Sequence, residues 1–87
     1  MRVVFTEAAW DEFQLVARDR QQLKKANQLI TDTQRGGYEG IGKPERLSGD
    51  LSRFWSRRVD DRHRLVYRID EDGILEIVQC RGHYSDR

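Results

Sequence analysis

The chain has 87 residues, of which 37% are hydrophobic and 36% charged, with a formal net charge of +1. This length leaves room for one domain, residues 1–87, and the composition excludes a disordered tail. The single cysteine, Cys80, excludes an internal disulfide framework. Because no apolar run is long enough for a signal peptide or a membrane span, we expect a cytoplasmic protein with no membrane partner.

The positive charge is concentrated in one part of the chain. Residues 43–68 carry eight Lys or Arg against four Asp or Glu, a local charge of +4. Residues 1–42 carry six of each and are neutral, while residues 69–87 carry two against five, a charge of −3. A total near zero argues against a protein that coats nucleic acid, whereas a local basic patch is suited to attract an anionic ligand.

The first third of the chain predicts a strand followed by a helical hairpin. Residues 2–5 (RVVF) are typical of a short strand. We expect helices at about 7–18 and 20–34, with Thr6 and Asp19 as their N-caps. Apolar side chains recur at helical spacing and predict two buried stripes: Trp10, Phe13 and Ala17 in the first helix, and Leu23, Ala26 and Ile30 in the second.

A glycine-rich segment at 35–50 separates the helices from the remaining strands. It contains five glycines and the only proline, so we predict a long loop of the kind that often carries function. Three strands are expected after it, at about 53–59, 62–69 and 74–80. This order predicts an α+β fold: an N-terminal strand, a two-helix hairpin and an antiparallel three-stranded meander in one sheet, with the helices on one face.

The stretch 54–69 (FWSRRVDDRHRLVYRI) contains five arginines among apolar residues, although arginine is rarely buried unless it is paired. Alternate side chains of a strand point to opposite faces of the sheet. One predicted face, packed by the helices, contains His63, Leu65, Tyr67 and Ile69, and the other contains Arg64, Val66 and Arg68. The same alternation separates Arg58 from its neighbour Arg57. We therefore expect arginines to line the uncovered face of the sheet.

Three segments carry groups that suit acid–base chemistry: GKPERL (42–47), RRVDDRHR (57–64) and CRGHY (80–84). Together they would bring a carboxylate (Glu45), several guanidinium groups and an imidazole (His83) into one neighbourhood. Cleaving RNA without a metal needs one group to take the 2′-hydroxyl proton, another to protonate the departing 5′-oxygen, and cations to stabilise the phosphorane. Arginine suits the last role because its planar fork binds two phosphate oxygens and stays charged.

Other interpretations of the same residues remain open. A glutamate in a loop is usually a solvated surface residue, and arginines on a sheet face are usually exposed or paired with carboxylates. The domain could thus be a non-catalytic module that binds RNA or the ribosome. A metal site formed by Cys80, His83 and His63 is a further alternative, but C-x-x-H is only half of a zinc motif. We expect neither a metal nor a cofactor.

Several segments carry distinctive combinations of residues: FTEAAWD, KKANQLITDT, YEGIGKPERL, FWSRRV, HRLVYRI and CRGHY. They resemble the YoeB (Txe) toxins of bacterial toxin–antitoxin modules, a family of ribosome-dependent mRNA endonucleases within the RelE superfamily. The resemblance runs over essentially the full length, and GKPE-x-L with FWSRR and HRLVY at this spacing is specific. It implies a RelE-like, microbial-ribonuclease-like fold.

The resemblance also implies roles for residues at the matching positions. Glu45 of the GKPE motif is the implied general base, and Arg64 of HRLVY is the implied stabiliser of the transition state. His83 is the implied general acid, and Tyr84 is implied to position the substrate or to stack on a base. We expect four further basic residues to contact RNA phosphates: Lys43, Arg57, Arg58 and Arg81.

This chain departs from the family pattern at two places. Ser48 stands where the family has a lysine, and residues 85–87 follow the tyrosine at which family chains tend to stop. Nearby cations that could replace the lysine are Lys43, Arg46 and Arg53. The missing lysine leaves a second alternative open, a degenerate toxin that binds an antitoxin as a corepressor.

The resemblance implies two macromolecular partners. One is mRNA on the 70S ribosome, and the other is an antitoxin of the YefM (Phd-like) type, whose acidic segment would cover the basic region. A homodimer is plausible because some relatives form one. Trp10 and Phe13 are candidates for the core first and for a dimer interface second.

Overall fold

The computed structural model describes residues 1–82 and shows one mixed sheet with two helices. The strands are β1 (Val3–Phe5), β2 (Glu45–Arg46), β3 (Trp55–Arg58), β4 (Arg64–Ile69) and β5 (Leu75–Gln79); the α-helices are α1 (Glu7–Val16) and α2 (Arg20–Gly36), and a 3₁₀ helix spans Gly49–Leu51. Within the described residues, no helix is long and apolar enough to cross a lipid bilayer. The predicted α+β order is confirmed.

The sheet has the strand order β1-β5-β4-β3-β2. Strands β3, β4 and β5 form the predicted antiparallel meander, and β1 lies parallel to β5, with Val3 opposite Leu75. Strand β2 pairs antiparallel with β3 and is absent from the sequence prediction. It consists of two exposed residues inside the glycine-rich segment. A strand of two residues is too short for an alternating pattern to reveal it. The prediction of an unbroken loop over 35–50 is therefore wrong.

Both helices begin at the predicted N-caps. The Thr6 hydroxyl oxygen accepts a hydrogen bond from Ala9 N at 3.1 Å. The Asp19 carboxylate accepts hydrogen bonds from Gln21 N and Gln22 N at 2.9 and 3.1 Å. Each cap satisfies backbone donors that have no partner inside the helix, a contribution of about 1 kcal/mol. Local sequence therefore sets where each helix starts.

The two helices cover one face of the sheet and form the core with it. The fully buried apolar side chains are Ala9 and Val16 on α1, Ala26 and Leu29 on α2, and Leu65, Tyr67, Leu75 and Ile77 on the sheet. Burying a large aliphatic side chain of this kind stabilises the fold by about 1.5–3 kcal/mol. The face of β4 that contains Leu65 and Tyr67 is thus the helix-covered face, as predicted.

The predicted apolar stripe of α1 is displaced by one residue at its two ends, to Ala9 and Val16, while Phe13 packs against the core as predicted. Ala9 is fully buried, whereas Ala17 is exposed and Trp10 is 50% exposed. The small side chain of Ala9 lets α1 approach the end of β5 closely, so that Cys80 Sγ lies 3.5 Å from Ala9 O. Trp10 lies at the margin of the core and stacks on Phe13, with ring centroids 5.9 Å apart.

Candidate functional site

Two arginines face each other across β3 and β4. The register pairs Arg58 with Arg64, so both side chains leave the sheet on the face opposite the helices, as predicted. Arg58 is exposed, while Arg64 is half-buried and its Nη1 donates hydrogen bonds to Asp60 O at 2.8 Å and His63 O at 3.2 Å. Like charges directly opposite each other in a sheet repel, so this pair is suited to bind an anion.

Glu45 lies on the same face as this arginine pair. It stands opposite Ser56, and Arg58 follows Ser56 by two residues along β3. Gly42 O accepts a hydrogen bond from Arg58 N at 2.7 Å, which brings the exposed Lys43 alongside Arg58. The Glu45 side chain is exposed and makes no hydrogen bond or ion pair with another residue of the described part. Its carboxylate is therefore free to act on a ligand.

The end of the described chain is hydrogen-bonded to the start of β4, at His63 and Arg64. Arg64 N donates a hydrogen bond to Gly82 O at 2.9 Å, and Gly82 N donates to His63 Nδ1 at 2.8 Å. Glu12 Oε1 of α1 accepts hydrogen bonds from the backbone N–H groups of Cys80 and Arg81 at 2.9 and 3.2 Å. The backbone of the exposed Arg81 therefore lies close to that of Arg64, because Arg81 immediately precedes Gly82.

Two of the predicted catalytic residues, His83 and Tyr84, lie outside the described residues, so their roles stay predictions. His83 is bonded to Gly82, the last described residue, which is hydrogen-bonded to the backbone of Arg64. The predicted site residues that the structure brings together on one face, or at its margin, are Glu45, Lys43, Arg58, Arg64 and Arg81.

A β-bulge between β4 and β5 changes the position of Gln79, and the sequence did not predict it. The pairing of β4 with β5 shifts register between Val66 and Tyr67, so that Gln79 rather than Val78 stands opposite Val66. Gln79 is 2% exposed, and its Nε2 donates a hydrogen bond to Arg81 O at 2.9 Å. Regular alternation would assign Gln79 to the helix-covered face, and no sequence signal marks the bulge.

Arg57 does not lie on this face, which corrects the expectation that it binds RNA. Its side chain is fully buried on the helix-covered side. Its five N–H groups donate to Asp32 Oδ2 (2.6 Å), Ile41 O (3.1 Å), Gly37 O (2.9 Å), Glu39 O (2.9 Å) and Tyr67 Oη (3.0 Å). A guanidinium group has five N–H donors in all, so none is left for a phosphate.

Cys80 and His63 are both engaged within the fold, which weighs against a metal site. Cys80 is buried, and burial raises the pKa of its thiol to about 12, whereas metal ligation requires the thiolate. The Nδ1 atom of His63 is occupied by the hydrogen bond from Gly82 N. Across residues 1–82, no three His, Cys, Asp or Glu side chains are grouped so that they could hold a metal ion.

Ser48, at the position of the missing lysine, is exposed and immediately precedes the 3₁₀ helix. Of the cations that could replace that charge, Arg46 is opposite Trp55 and therefore points to the other face, where its Nε donates to Ser52 O at 2.8 Å. Lys43, beside Arg58, is better placed than Arg46, and Arg53 is exposed before β3.

The sequence is similar to those of known proteins over nearly its full length. The sequence pattern of one family, described as YoeB-like toxin of bacterial type II toxin-antitoxin system, matches residues 5–84. Toxin YoeB of Streptomyces coelicolor is 49% identical over 85 residues, which cover 97% of this chain and 100% of that protein. Toxin YoeB of Escherichia coli K12 is 46% identical over 85 residues, with 97% and 100% covered.

Solved structures of similar proteins share the fold closely. A YoeB/ParE toxin from Agrobacterium tumefaciens superimposes with a TM-score of 0.92 at 42% identity, covering 97% of this chain and 100% of the other. A chain from a heterotetrameric YoeB–YefM toxin–antitoxin complex of Staphylococcus aureus gives 0.87 at 36% identity, with 97% and 98% covered. A YoeB dimer from the same organism gives 0.88 at 37% identity, with 97% and 98% covered.

Proposed function

The chain belongs to the family of YoeB-like toxins of bacterial type II toxin–antitoxin systems, and on that premise we propose that it cleaves mRNA in the ribosomal A site. The proposed reaction is a metal-independent attack of a 2′-hydroxyl on the neighbouring phosphodiester, and it inhibits translation in the cytoplasm. The observation that carries this proposal is the shared face of Glu45, Arg58 and Arg64, which lie on three adjacent strands.

In the proposed reaction, the Glu45 carboxylate takes the proton of the 2′-hydroxyl, and the oxygen attacks the adjacent phosphorus. The bond from phosphorus to the 5′-oxygen breaks and leaves a 2′,3′-cyclic phosphate. His83 donates a proton to the departing 5′-oxygen. Arg64 and Arg58 supply fixed positive charge for the two negative charges that the phosphorane carries before this bond breaks.

The remaining predicted residues hold the RNA rather than react with it. Lys43 and Arg81 are exposed at the margin of the arginine pair, where they are suited to contact the phosphates on either side of the cut. Tyr84 would stack on a neighbouring base, since single-stranded RNA is commonly held by aromatic stacking.

The ribosome has a defined part in this proposal. A carboxylate and an imidazole each contribute about 10²–10⁴-fold when they are well placed, so the alignment of the RNA must supply much of the remaining acceleration. Glu45 and Arg58 are exposed on an open face, which by itself does little to align a flexible strand. We therefore expect weak cleavage of naked RNA and strong cleavage of translated mRNA, and equal rates on the two would contradict this.

We also propose that an antitoxin of the YefM type covers this face. The net charge of +4 over residues 43–68 favours an acidic segment that orders when it binds. The YoeB of Staphylococcus aureus was solved in complex with YefM and also as a dimer. A dimer of this chain is a further proposal, and the half-exposed Trp10, in contact with Phe5 and Phe13, is the candidate for its interface.

Primer extension on a translated mRNA tests the proposed function. Glu45→Gln removes the base but keeps the shape of the side chain, and we expect cleavage to fall by about 10²–10⁴-fold. Glu39→Gln is the matched control, because Glu39 is an exposed glutamate of the same glycine-rich segment. The Glu39→Gln variant should cleave the mRNA at the wild-type rate. Unaltered cleavage by Glu45→Gln would refute the assignment. Translation arrest without any cut product, even by the wild type, would support the non-catalytic alternative instead.

A further inference from the structure

The buried side chain of Arg57 binds several carbonyl groups of the glycine-rich segment before Glu45. The part from Gly37 to Gly42 forms neither a helix nor a strand, so its carbonyl groups have no regular hydrogen-bond ladder to satisfy them. Arg57 of β3 donates hydrogen bonds to three of these carbonyls, those of Gly37, Glu39 and Ile41, at 2.9, 2.9 and 3.1 Å. The guanidinium group thus acts as an internal template for the segment.

Asp32 of α2 completes this arrangement. Its Oδ2 accepts a hydrogen bond from Arg57 Nη1 at 2.6 Å and another from Ile41 N at 2.9 Å. These two hydrogen bonds, the one from Arg57 being the larger effect, hold the pKa of the Asp32 carboxyl below its usual value. The pair joins α2, the glycine-rich segment and β3 at one point.

Gly40 lets the segment close around the Asp32–Arg57 pair. A Cβ atom on Gly40 would clash with Asp32 Oδ2 and lie 3.1 Å from Arg57 Nη1, and the φ of Gly40, +133°, is a conformation that other residues rarely adopt. Any other residue at this position would therefore push the segment away from the ion pair.

The position of Glu45 depends on this anchored segment. Strand β2, which carries Glu45, has only two residues and lies at the edge of the sheet, so its own pairing holds it weakly. The preceding anchor is the hydrogen bond from Arg58 N to Gly42 O, at 2.7 Å. Arg57 lies between Ser56, which stands opposite Glu45, and Arg58.

We propose that Asp32 and Arg57 are positioning residues, which fix Glu45 on the face it shares with Arg58 and Arg64 without touching the RNA. This inference rests on the proposed function. The Arg57 side chain is fully buried while that of Asp32 is 32% exposed, and an ion pair of this kind is in itself weak evidence for stability. Here the acceptors include three loop carbonyls, and an apolar side chain at position 57 would leave them without donors.

The rate of cleavage at saturating ribosomes (kcat) and the half-saturating ribosome concentration (KM) separate positioning from binding. We expect Asp32→Ala to lower kcat by about 10²-fold, the loss typical of a group misplaced by about 1 Å. KM should stay unchanged, because the phosphate-binding arginines are intact. Asp32→Asn keeps an oxygen that can accept both hydrogen bonds, so it should restore kcat to within about tenfold of the wild type.

The second ion pair of the described chain provides a matched control. Arg68 Nε lies 2.9 Å from Glu76 Oε1 across β4 and β5, and the two side chains are 26% and 31% exposed. Glu76→Ala removes this pair away from the glycine-rich segment, as Asp32→Ala removes the other, and it should leave both kcat and KM unchanged. A loss with Glu76→Ala as large as that with Asp32→Ala would show that general destabilisation is the cause, and it would overturn the proposal.

A double-mutant cycle with Glu45→Gln gives the decisive result. Once the base is absent, Asp32→Ala should cause no further loss, since the group that it positions has gone. Equal losses in both backgrounds, or wild-type kcat for Asp32→Ala, would overturn the positioning role. Where melting curves show Asp32→Ala unfolded at the assay temperature, the same cycle with Arg57→Lys decides by the same criterion, because lysine cannot replace the five hydrogen bonds of the guanidinium group. Full activity of Glu45→Gln alone would instead refute the proposed function.

Discussion

Replacing Arg58 by glutamine is expected to stabilise the free protein while it weakens cleavage. Arg58 stands directly opposite Arg64, and its side chain makes no hydrogen bond or ion pair within the described residues. In the absence of RNA its charge therefore repels that of Arg64, and no ion pair offsets this repulsion. A bound phosphate would reverse this situation, because it attracts both guanidinium groups at once.

The size of this repulsion follows from the geometry of the strand pair. Opposed Cβ atoms in an antiparallel sheet are about 5 Å apart, and we take about 7 Å between the two charges. In water this separation gives about 0.6 kcal/mol, inside the range of about 0.2–1 kcal/mol for cross-strand pairs. For a domain of this size, that free energy corresponds to a rise in Tm of about 2–5 °C. In about 1 M salt the repulsion falls to about a tenth, so the rise should disappear.

Thermal denaturation at about 0.01 M and about 1 M salt measures the effect. Arg53→Gln is the control, because it removes one exposed positive charge from the same region but faces no arginine across a strand. We expect Arg58→Gln, unlike Arg53→Gln, to raise the Tm at low salt alone, and to lower cleavage by about 10²-fold. A lower Tm, a rise of equal size at both salt concentrations, or the same rise for Arg53→Gln would refute the reasoning.

Acid denaturation, one glycine and the buried thiol give three more tests. Hydrogen bonds from Arg57 and Ile41 lower the pKa of Asp32 from 3.8, so its carboxylate stabilises the fold above pH 3.8 and loses this effect as the pH falls further. Urea denaturation between about pH 5 and pH 2 should therefore show a steeper loss of unfolding free energy for the wild type than for Asp32→Asn. Parallel curves would contradict this. Gly40→Ala should lower both Tm and cleavage more than Gly73→Ala, because Gly73 has a φ of +76° but no atom within 4 Å of an added Cβ; equal losses would show that strain alone matters. The buried thiol of Cys80, with its pKa raised to about 12, should react with a disulfide reagent at least about 10³-fold more slowly in the folded protein than in urea, and fast labelling of the folded protein would contradict its burial.

Features set by neighbouring residues were predictable from the sequence. The caps at Thr6 and Asp19 depend on hydrogen bonds to amides two or three residues away, so a short window contains all the information. The shared face of Arg58 and Arg64 follows from the period of two along each strand and the tight turn between β3 and β4. The motifs of the glycine-rich segment and the central hairpin indicated the family, which the comparisons establish.

Features set by distant contacts were not predictable. The alternation of side chains along β3 already placed Arg57 and Arg58 on opposite faces of the sheet. The positive charge of Arg57 nevertheless suggested a contact with phosphate. The interaction that keeps it inside joins Arg57 to Asp32, 25 residues away, and to backbone carbonyls that look alike in every sequence. The bulge that turns Gln79 to the open face likewise depends on how β4 and β5 fit together, and Trp10 lies at the margin because α1 approaches β5 through Ala9.

The parallel pairing of β1 with β5 has a consequence for how the chain folds as it is made. Strand β5 lies between β1 and β4, with Thr6 N bonded to Ile77 O and Leu75 N bonded to Arg2 O. A nascent chain that has not yet released residues 75–79 from the exit tunnel can form its helical hairpin and the β3–β4 ribbon, but its first strand has nothing to join. The complete sheet can therefore assemble only after residues 75–79 have emerged, although β1 is the first strand to be made. The first strand of the chain is thus among the last to be paired.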